Sequence, residues 1–257
     1  MSSFWRLERL LPEYVKNFEV YTPSKPDTEL MKLYGCSTLH RLNNNENPLG
    51  PSVEAQNAIS SFPPEKAAIY PSGDSYHLRI RLARKFNKNH EQFLVGNGAN
   101  EVISFVIKAF CEQGDNIVTA DKTFAVYEWI ANFSGYQAKL APLSNFEFDE
   151  QAMLDLVDKK TKIVFICNPN NPTGKFWSID RLRAFMNRLG DEKIVVLDEA
   201  YAEFVEDATF PNGLDLVEEY DNLVVFRTFS KMYGLAGLRI GYLCAQEPLV
   251  DAIRKTC

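Results

Sequence analysis

The residue in this chain best suited to covalent chemistry is Lys231, which lies in the stretch Thr-Phe-Ser-Lys-Met-Tyr-Gly over residues 228–234. The apolar run before it has the length of a strand, so Lys231 should emerge in the loop at the carboxyl end of that strand. Open α/β sheets bind ligands at this edge. A lysine in a partly dry pocket binds its proton less tightly, and the neutral amine can form a Schiff base with an aldehyde. A serine–lysine pair near glycines is otherwise most often a surface loop, so the neighbouring motifs must support this interpretation.

Two further strand ends carry polar groups that could meet Lys231. One apolar run opens into the dense turn signal 168–174, which places the amide of Asn171 just beyond a strand, and the next run ends in Asp198, with Tyr201 three positions on. If these strands are parallel neighbours, all four side chains converge on one mouth. A buried carboxylate there could keep a pyridine nitrogen protonated, while an amide and a phenol bind the 3-oxygen of the ring. Taken singly, Asp198 is better explained as a helix cap and Asn171 as a turn residue, but their coincidence favours a site.

A third polar segment, Gly96-Asn-Gly-Ala-Asn-Glu101, follows another apolar run and opens a helical pattern. It half-resembles a dinucleotide-binding fingerprint but lacks the third glycine, and a lone glycine pair is weak evidence. The chain contains no GxxxxGK[ST] sequence, which weighs against a nucleoside-triphosphate enzyme. Arg239 offers a guanidinium fork suited to a phosphate, and Thr228 and Ser230 add hydroxyl donors.

The elements that must position these residues alternate along the chain from about residue 75. Helical patterns at 75–88, 99–112, 123–134, 149–157, 178–189 and 214–220 separate apolar runs at 92–96, 116–120, 136–141, 162–167, 193–197, 223–227 and 239–245. This order predicts an α/β fold whose mainly parallel sheet is sandwiched by helices. The first 45 residues instead predict a helix followed by an irregular arm rich in proline.

Composition is that of a soluble enzyme and excludes several classes of partner. The chain has 28 basic and 34 acidic residues, a net charge of −6, which gives no electrostatic reason to expect nucleic acid or an anionic membrane as a partner. Five cysteines without paired spacing suggest a reducing, cytoplasmic compartment. Three histidines without ligand spacing predict no metal site, and we expect neither a membrane span nor a secretory signal.

The ordered motifs resemble those of fold-type I pyridoxal-phosphate-dependent aminotransferases of class I/II, most closely the histidinol-phosphate aminotransferase family. They spread over about 200 residues, which makes the resemblance strong for cofactor and fold and weaker for substrate. The matching segments are NENPLGPS (45–52), YPSGDSYHLR (70–79), GNGANE (96–101), TFAVY (123–127), NPNNPTG (168–174), DEAY (198–201) and TFSKMYGLAGLRIGY (228–242).

The resemblance implies a role for each matching position around the cofactor ring. Lys231 would hold the cofactor covalently and then move a proton between it and the substrate α-carbon. Asp198 would pair with the pyridine nitrogen, and Asn171 and Tyr201 would contact the 3-oxygen. Phe124 would stack on the ring face, where many family members have tyrosine or tryptophan, although a core phenylalanine is a fair alternative.

The resemblance also implies a phosphate cup and a partner subunit. Tyr70 matches a tyrosine that reaches the phosphate of a partner subunit's cofactor, which predicts a homodimer, while a surface turn is the alternative. Asn47 lies in a segment that lines the substrate entrance in the family, although its sequence is also that of a polar turn. The cup would combine the first backbone amides of a helix with side-chain donors, since helix N-termini favour anions; its members would be Gly98, Ala99, Asn100, Thr228, Ser230 and Arg239.

The family continues beyond the lysine motif with most of a small domain that carries the arginine for the substrate carboxylate. We therefore expect an N-terminal helix and arm at 1–45 and a cofactor-binding large domain at 46–257, with the C-terminal small domain absent. The expected reaction is transfer of an amino group between histidinol phosphate and 2-oxoglutarate, with an amino donor and a keto acid as small-molecule partners. The alternatives are a related decarboxylase or lyase, an aminotransferase of other specificity, and an inactive cofactor-binding fragment.

Overall fold

The protein is described by a computed structural model that covers residues 9–16 and 25–257. Its strands are β1 (Phe93–Asn97), β2 (Asn116–Ala120), β3 (Gln137–Ala141), β4 (Leu143–Ser144), β5 (Glu147–Phe148), β6 (Thr161–Cys167), β7 (Ile194–Asp198), β8 (Leu223–Thr228) and β9 (Ile240–Ala245). Its α-helices are α1 (Glu13–Lys16), α2 (Asp27–Tyr34), α3 (Val53–Ser60), α4 (Tyr76–Phe86), α5 (Ala99–Phe110), α6 (Val126–Phe133), α7 (Glu150–Leu156), α8 (Ile179–Leu189), α9 (Gly213–Leu216) and α10 (Glu247–Arg254).

Seven strands form one sheet in the order β1-β9-β8-β7-β6-β2-β3. The strands from β8 to β3 are parallel, while β9 is antiparallel to both of its neighbours. The predicted mainly parallel sheet is thus confirmed, and each of its seven strands lies within one residue of the predicted bounds. The short β4–β5 hairpin was not predicted.

The three central strands are largely apolar and buried because both faces of the sheet are covered. All six residues of β8 are buried, and so are the last five of β6 and the last four of β7. Alternate side chains point to opposite faces of a strand, so continuous burial requires cover on both sides. The core therefore runs through the strands that lead into the polar motifs.

Some of the helices begin at a residue whose side chain caps the first turn. In α8, the hydroxyl of Ser178 accepts the amide of Arg181, and Leu182, Phe185 and Met186 are buried at helical spacing. The carboxylate of Asp149 caps α7 in the same way.

The prediction for the N-terminal segment was wrong in part. A helix, α2, occupies residues that were expected to belong to the irregular arm, and it ends at Gly35, whose φ of 63° suits a left-handed cap. The proline-rich stretch from Tyr21 to Ser24 lies outside the described residues.

Candidate active site

A cavity of about 490 Å³ opens at the carboxyl ends of β6, β7 and β8. These three strands are adjacent and parallel, so the loops that follow them meet at one edge of the sheet. Ten of the residues singled out from the sequence line this cavity: Ala99, Asn100, Phe124, Asn171, Asp198, Tyr201, Thr228, Ser230, Lys231 and Arg239. The four side chains expected to converge on one mouth do so.

Asp198 is the last residue of β7, and its side chain is buried against the cavity wall. The hydroxyl of Tyr127 donates to Oδ2 at 2.5 Å, and the amide of Ala200 donates to Oδ1 at 3.0 Å. Burial raises the pKa of Asp198, while the two donors and the charge of Lys231 oppose that rise. The hydrogen bond from the Ala200 amide closes the turn after β7, so Asp198 shapes this turn and also faces the cavity.

Lys231 is half-buried, and its amine donates to the backbone carbonyl of Asn44 at 2.7 Å. Its Nζ lies 5.6 Å from the centre of the Tyr201 ring. Burial lowers the pKa of Lys231, the negative charges of Glu46 and Asp198 raise it, and Arg239 lowers it further. The amine is therefore held beside the cavity with a weakened hold on its proton, as nucleophilic or basic chemistry requires.

Tyr201 is held by the N-terminal segment. The side-chain amide of Asn45 donates to the Tyr201 hydroxyl at 3.0 Å. Asn45 has a φ of 52°, a left-handed conformation that asparagine adopts more readily than most residues. Burial raises the pKa of Tyr201, so the phenol stays protonated near neutral pH and can donate into the cavity.

The three asparagines of the 168–174 turn have different tasks. Both ends of the Asn168 side chain bond to the backbone of Trp177. Asn170 accepts from the hydroxyl of Thr123 at 2.8 Å and donates to the backbone of Lys122. Asn171 faces the cavity, so the first two build the turn and the third is available to a ligand.

The proposed phosphate cup is centred on the N-terminus of α5. Helix α5 begins at Ala99, and its N-cap is Gly98, which has no side chain to bond the first amides. A Cβ on Gly98 would lie 2.3 Å from Nη2 of Arg239, so glycine is what lets the guanidinium approach the helix. The Gly98 amide itself donates to Gly96 at 2.8 Å, which leaves the amides of Ala99 and Asn100 as the candidates for an anion.

The hydroxyl groups of the lysine loop also shape it. Thr228 Oγ1 accepts the amide of Ser230 at 3.1 Å and donates to the carbonyl of Ile240 at 3.3 Å. Both hydroxyl-bearing residues are buried yet border the cavity.

Three sequence-predicted residues, Gly98, Asn47 and Tyr70, are not among the described residues that line the cavity. Asn47 donates to the carbonyl of Met232 at 2.8 Å and accepts the amide of Leu49 at 3.0 Å, so its side chain is used to attach its own segment to the lysine loop. Tyr70 is 98% exposed and belongs to the outer surface of this chain.

Tyr127 was given no role from the sequence, although it ends the motif Thr123-Phe-Ala-Val-Tyr127. It is fully buried, stacks on Phe165 with ring centres 4.7 Å apart, and meets Phe124 edge-on at 5.6 Å. The bond to Asp198 joins residues 71 positions apart, so no local signal could have revealed it.

Over residues 9–16 and 25–257, no cluster of three or more His, Cys, Asp or Glu side chains could hold a metal ion. Within the same ranges, no helix combines the length and apolarity needed to cross a membrane.

Comparisons with known proteins agree with this geometry. The chain is 39% identical over 241 residues to a histidinol-phosphate aminotransferase of Anoxybacillus flavithermus and 40% identical over 241 residues to one of Geobacillus thermodenitrificans. Each alignment covers 94% of this chain but only 65% and 66% of the relative, so the chain spans about two thirds of the length of these relatives.

A solved structure is similar over the same extent. The crystal structure of histidinol-phosphate aminotransferase from Sinorhizobium meliloti, in complex with pyridoxal-5'-phosphate, superposes with a TM-score of 0.84 at 25% identity. The superposition covers 96% of this chain and 66% of the other. The family model for aminotransferase class I and II matches residues 37–256, and this chain therefore belongs to that family.

Proposed function

We propose that this chain binds pyridoxal 5'-phosphate and serves the transamination of histidinol phosphate with 2-oxoglutarate, which yields imidazole acetol phosphate and glutamate in histidine biosynthesis. The observation that carries the proposal is the convergence of Lys231, Asp198 and the α5 N-terminus on one cavity. The substrate assignment is supported by the two histidinol-phosphate aminotransferases that are about 40% identical over most of the chain.

The residues present fit this cofactor in charge and position. A cavity of about 490 Å³ has the size of a small-molecule site. One wall carries the buried acid Asp198, and the uncapped helix end and Arg239 offer donors to an anion. Lys231 lies between these groups as an amine with a lowered pKa. When bound, pyridoxal phosphate supplies a carbonyl for the amine and a ring that accepts electrons from the substrate.

Each side chain then has a task that its surroundings allow. Lys231 holds the cofactor through Nζ and later accepts or delivers a proton at that atom, which its lowered pKa favours. Asp198 keeps a proton on the ring nitrogen by its negative charge. Asn171 and the Tyr201 hydroxyl donate to the 3-oxygen, and Phe124 excludes water from one ring face.

The N-terminus of α5 and Arg239 would hold the phosphate of the cofactor. We propose that the amides of Ala99 and Asn100 and the guanidinium of Arg239 are its donors, together with the hydroxyl of Ser230. Thr228 supports this cup through its bond to the Ser230 amide. The proposed task of Gly98 is to leave room for Arg239.

The wider organisation is part of the proposal. We assign residues 46–257 to the cofactor-binding large domain and residues 1–45 to an N-terminal helix and arm. We propose a homodimer in the cytoplasm whose small-molecule partners are an amino donor and a keto acid, without nucleic acid or membrane as partner. Asn47 is retained as a candidate for the substrate entrance, because it fixes the segment that borders the cavity.

The decisive experiment is the visible absorption spectrum of the chain with added pyridoxal phosphate, beside the Lys231→Ala and Lys175→Ala variants. Lys175 is a surface lysine more than 50% exposed, so its variant controls for nonspecific reaction with lysines. We expect a band that requires Lys231 and survives in Lys175→Ala. Addition of histidinol phosphate should bleach the band and form the keto product, and later addition of 2-oxoglutarate should restore the band and form glutamate.

The alternatives give different results in the same assay. Release of carbon dioxide from an amino acid indicates a decarboxylase, and bleaching only by other amino acids indicates another specificity. A Lys231-dependent band that ignores every amino acid indicates a cofactor-binding fragment. Absence of that band contradicts the cofactor assignment itself.

A further inference from the structure

Tyr127 is the described side chain that touches both Asp198 and Phe124, the two groups assigned to the nitrogen and the face of the cofactor ring. Its hydroxyl donates to Asp198 Oδ2 at 2.5 Å, a short distance typical of an O–H bond to a carboxylate. Its ring lies parallel to Phe165 at 4.7 Å with an interplanar angle of 15°, and edge-on to Phe124 at 82°. One buried tyrosine thus connects the carboxylate of Asp198 with the ring of Phe124.

We propose that Tyr127 is a positioning residue that fixes the Asp198 carboxylate toward the ring nitrogen of the cofactor and keeps Phe124 in place over the ring. This inference rests on the proposed cofactor site. Tyr127 itself is not one of the described residues that line the cavity.

The geometry explains why a hydroxyl is needed at this position. Asp198 Oδ1 is oriented by the Ala200 amide, and without Tyr127 the Oδ2 end would have lost its donor inside a buried wall. A carboxylate has about four lone-pair sites, so each oxygen can keep its protein donor and still face the cavity. Two fixed donors on two oxygens leave the carboxylate no freedom to rotate.

The hydroxyl also favours the ionised form of Asp198. A donor to a carboxylate stabilises its negative charge and lowers its pKa, which opposes the rise that burial causes. Burial and the neighbouring Asp198 charge keep the pKa of Tyr127 well above its usual range, so it remains a donor. The other titratable groups of the described residues that interact with this pair are Lys231, the phenol of Tyr201 and the thiol of Cys167, whose pKa burial raises to about 12.

The test replaces Tyr127 with Phe, which removes the hydroxyl and keeps the ring that stacks on Phe165. The matched control is Tyr220→Phe, which removes a hydroxyl that donates to Asn187 at 3.4 Å, and neither residue is among the described residues that line the cavity. We expect Tyr127→Phe to bind the cofactor about tenfold more weakly, as for the loss of one hydrogen bond to a charged group. The control should keep the cofactor affinity of the wild type.

Two further readouts separate positioning from general structural support. In the protein without cofactor, the carboxyl titration of Asp198, identified by infrared difference against Asp198→Asn, should move to higher pH in Tyr127→Phe. In the Asp198→Asn background, Tyr127→Phe should cost much less cofactor affinity than it does in the wild type. A fluorinated tyrosine at position 127, a stronger donor of nearly the same shape, should move the Asp198 titration to lower pH even if Tyr127→Phe folds poorly.

An unchanged Asp198 titration, or an equal loss of affinity in both backgrounds, overturns the proposal. Lower thermal stability with unchanged cofactor affinity also overturns it, because Tyr127 would then serve the core alone. The titration needs no cofactor, so a chain that fails to bind pyridoxal phosphate refutes the proposed function and still decides whether Tyr127 controls Asp198.

Discussion

Lys231 and Asn44 are joined by a bond of 2.7 Å from the lysine amine to a backbone carbonyl, across 187 positions of the sequence. The same two segments meet again where the Asn47 amide bonds to Met232, and where Gly234 packs so closely on Gly50 that a Cβ would lie 2.4 Å from its carbonyl. Three contacts therefore attach the segment 43–51 to the lysine loop. The position of the reactive amine depends on a stretch of chain far from its own strand.

The Asn47 side chain should stabilise this attachment measurably. Asn47→Ala removes two hydrogen bonds, one to Met232 and one from the Leu49 amide, and we expect a loss of about 1–2 kcal/mol in the free energy of unfolding. Amide hydrogen exchange at Leu49 should accelerate because its acceptor is gone. Gln56→Ala, which removes a single exposed bond to Pro51, is the control and should cost less than half as much. Equal effects of the two variants, or unchanged exchange at Leu49, would contradict this role for Asn47.

Glu46 should govern the pH at which Lys231 becomes reactive. Its negative charge is the largest of the effects that raise the pKa of Lys231 against burial. Glu46→Gln removes that charge, so the ammonium loses stabilisation and the pKa of Lys231 falls further below 10.5. The neutral amine is the reactive form, so the rate of covalent attachment of pyridoxal phosphate should rise with pH at a lower midpoint than in the wild type.

The measurement is a stopped-flow absorbance titration over pH, with Glu54→Gln as the matched loss of one carboxylate on an exposed helix. Glu54→Gln should leave the midpoint in place. A midpoint that stays constant or moves upward in Glu46→Gln would show that Glu46 acts on Lys231 through something other than its charge.

Glycine should be required at position 98 because it leaves room for Arg239 in the phosphate cup, and not only because of the positive φ at this position. Gly98→Ala adds a Cβ that would lie 2.3 Å from Arg239, at a φ of 81°. Gly114→Ala adds a Cβ at a φ of 94° with nothing within 4 Å. Both variants should lose about 1–2 kcal/mol of stability from left-handed backbone, but Gly98→Ala alone should weaken binding of pyridoxal phosphate and of inorganic phosphate, by about tenfold. Calorimetry measures both the stability and the ligand affinities of the two variants. Equal losses of ligand affinity in Gly98→Ala and Gly114→Ala would contradict the proposed phosphate cup.

The strands of the main sheet could be predicted because their signal is local. The runs that became β6, β7 and β8 are mostly apolar and end in turn residues, so their bounds follow from sequence alone. Their shared edge was predicted only on the condition that the three strands are parallel neighbours, which the structure shows. Asn171 and Asp198 could be assigned to the site because each lies just past such a strand. The family resemblance then supplied the roles.

What could not be predicted depends on contacts between distant segments. The Asn44 group that holds Lys231 is a backbone carbonyl, which any residue offers. The sequence analysis gave Tyr127 no role, and only its burial beside Asp198 gives its hydroxyl a partner. Helix α2 was mistaken for irregular chain because nearby prolines suggested a break, whereas Pro26 precedes the first turn of the helix, where a missing amide costs nothing.

The exposed apolar surface of the segment 49–76 leads to the final prediction, which concerns the homodimer. Tyr70 is 98% exposed and lies within a run of side chains that a solitary chain would leave in water; its large exposed members also include Leu49, Val53, Ile59, Phe62, Ile69 and Tyr76. If this surface pairs with a second copy and Tyr70 reaches the partner's cofactor phosphate, dilution should weaken cofactor binding together with dimerisation.

Tyr70→Phe should weaken cofactor binding about threefold to tenfold at concentrations where the dimer persists, because only the hydroxyl contact is lost. Tyr34→Phe, at an equally accessible tyrosine that is 71% exposed, is the control. Analytical ultracentrifugation with a parallel cofactor titration measures both quantities, and a cofactor affinity that is independent of protein concentration contradicts a shared site.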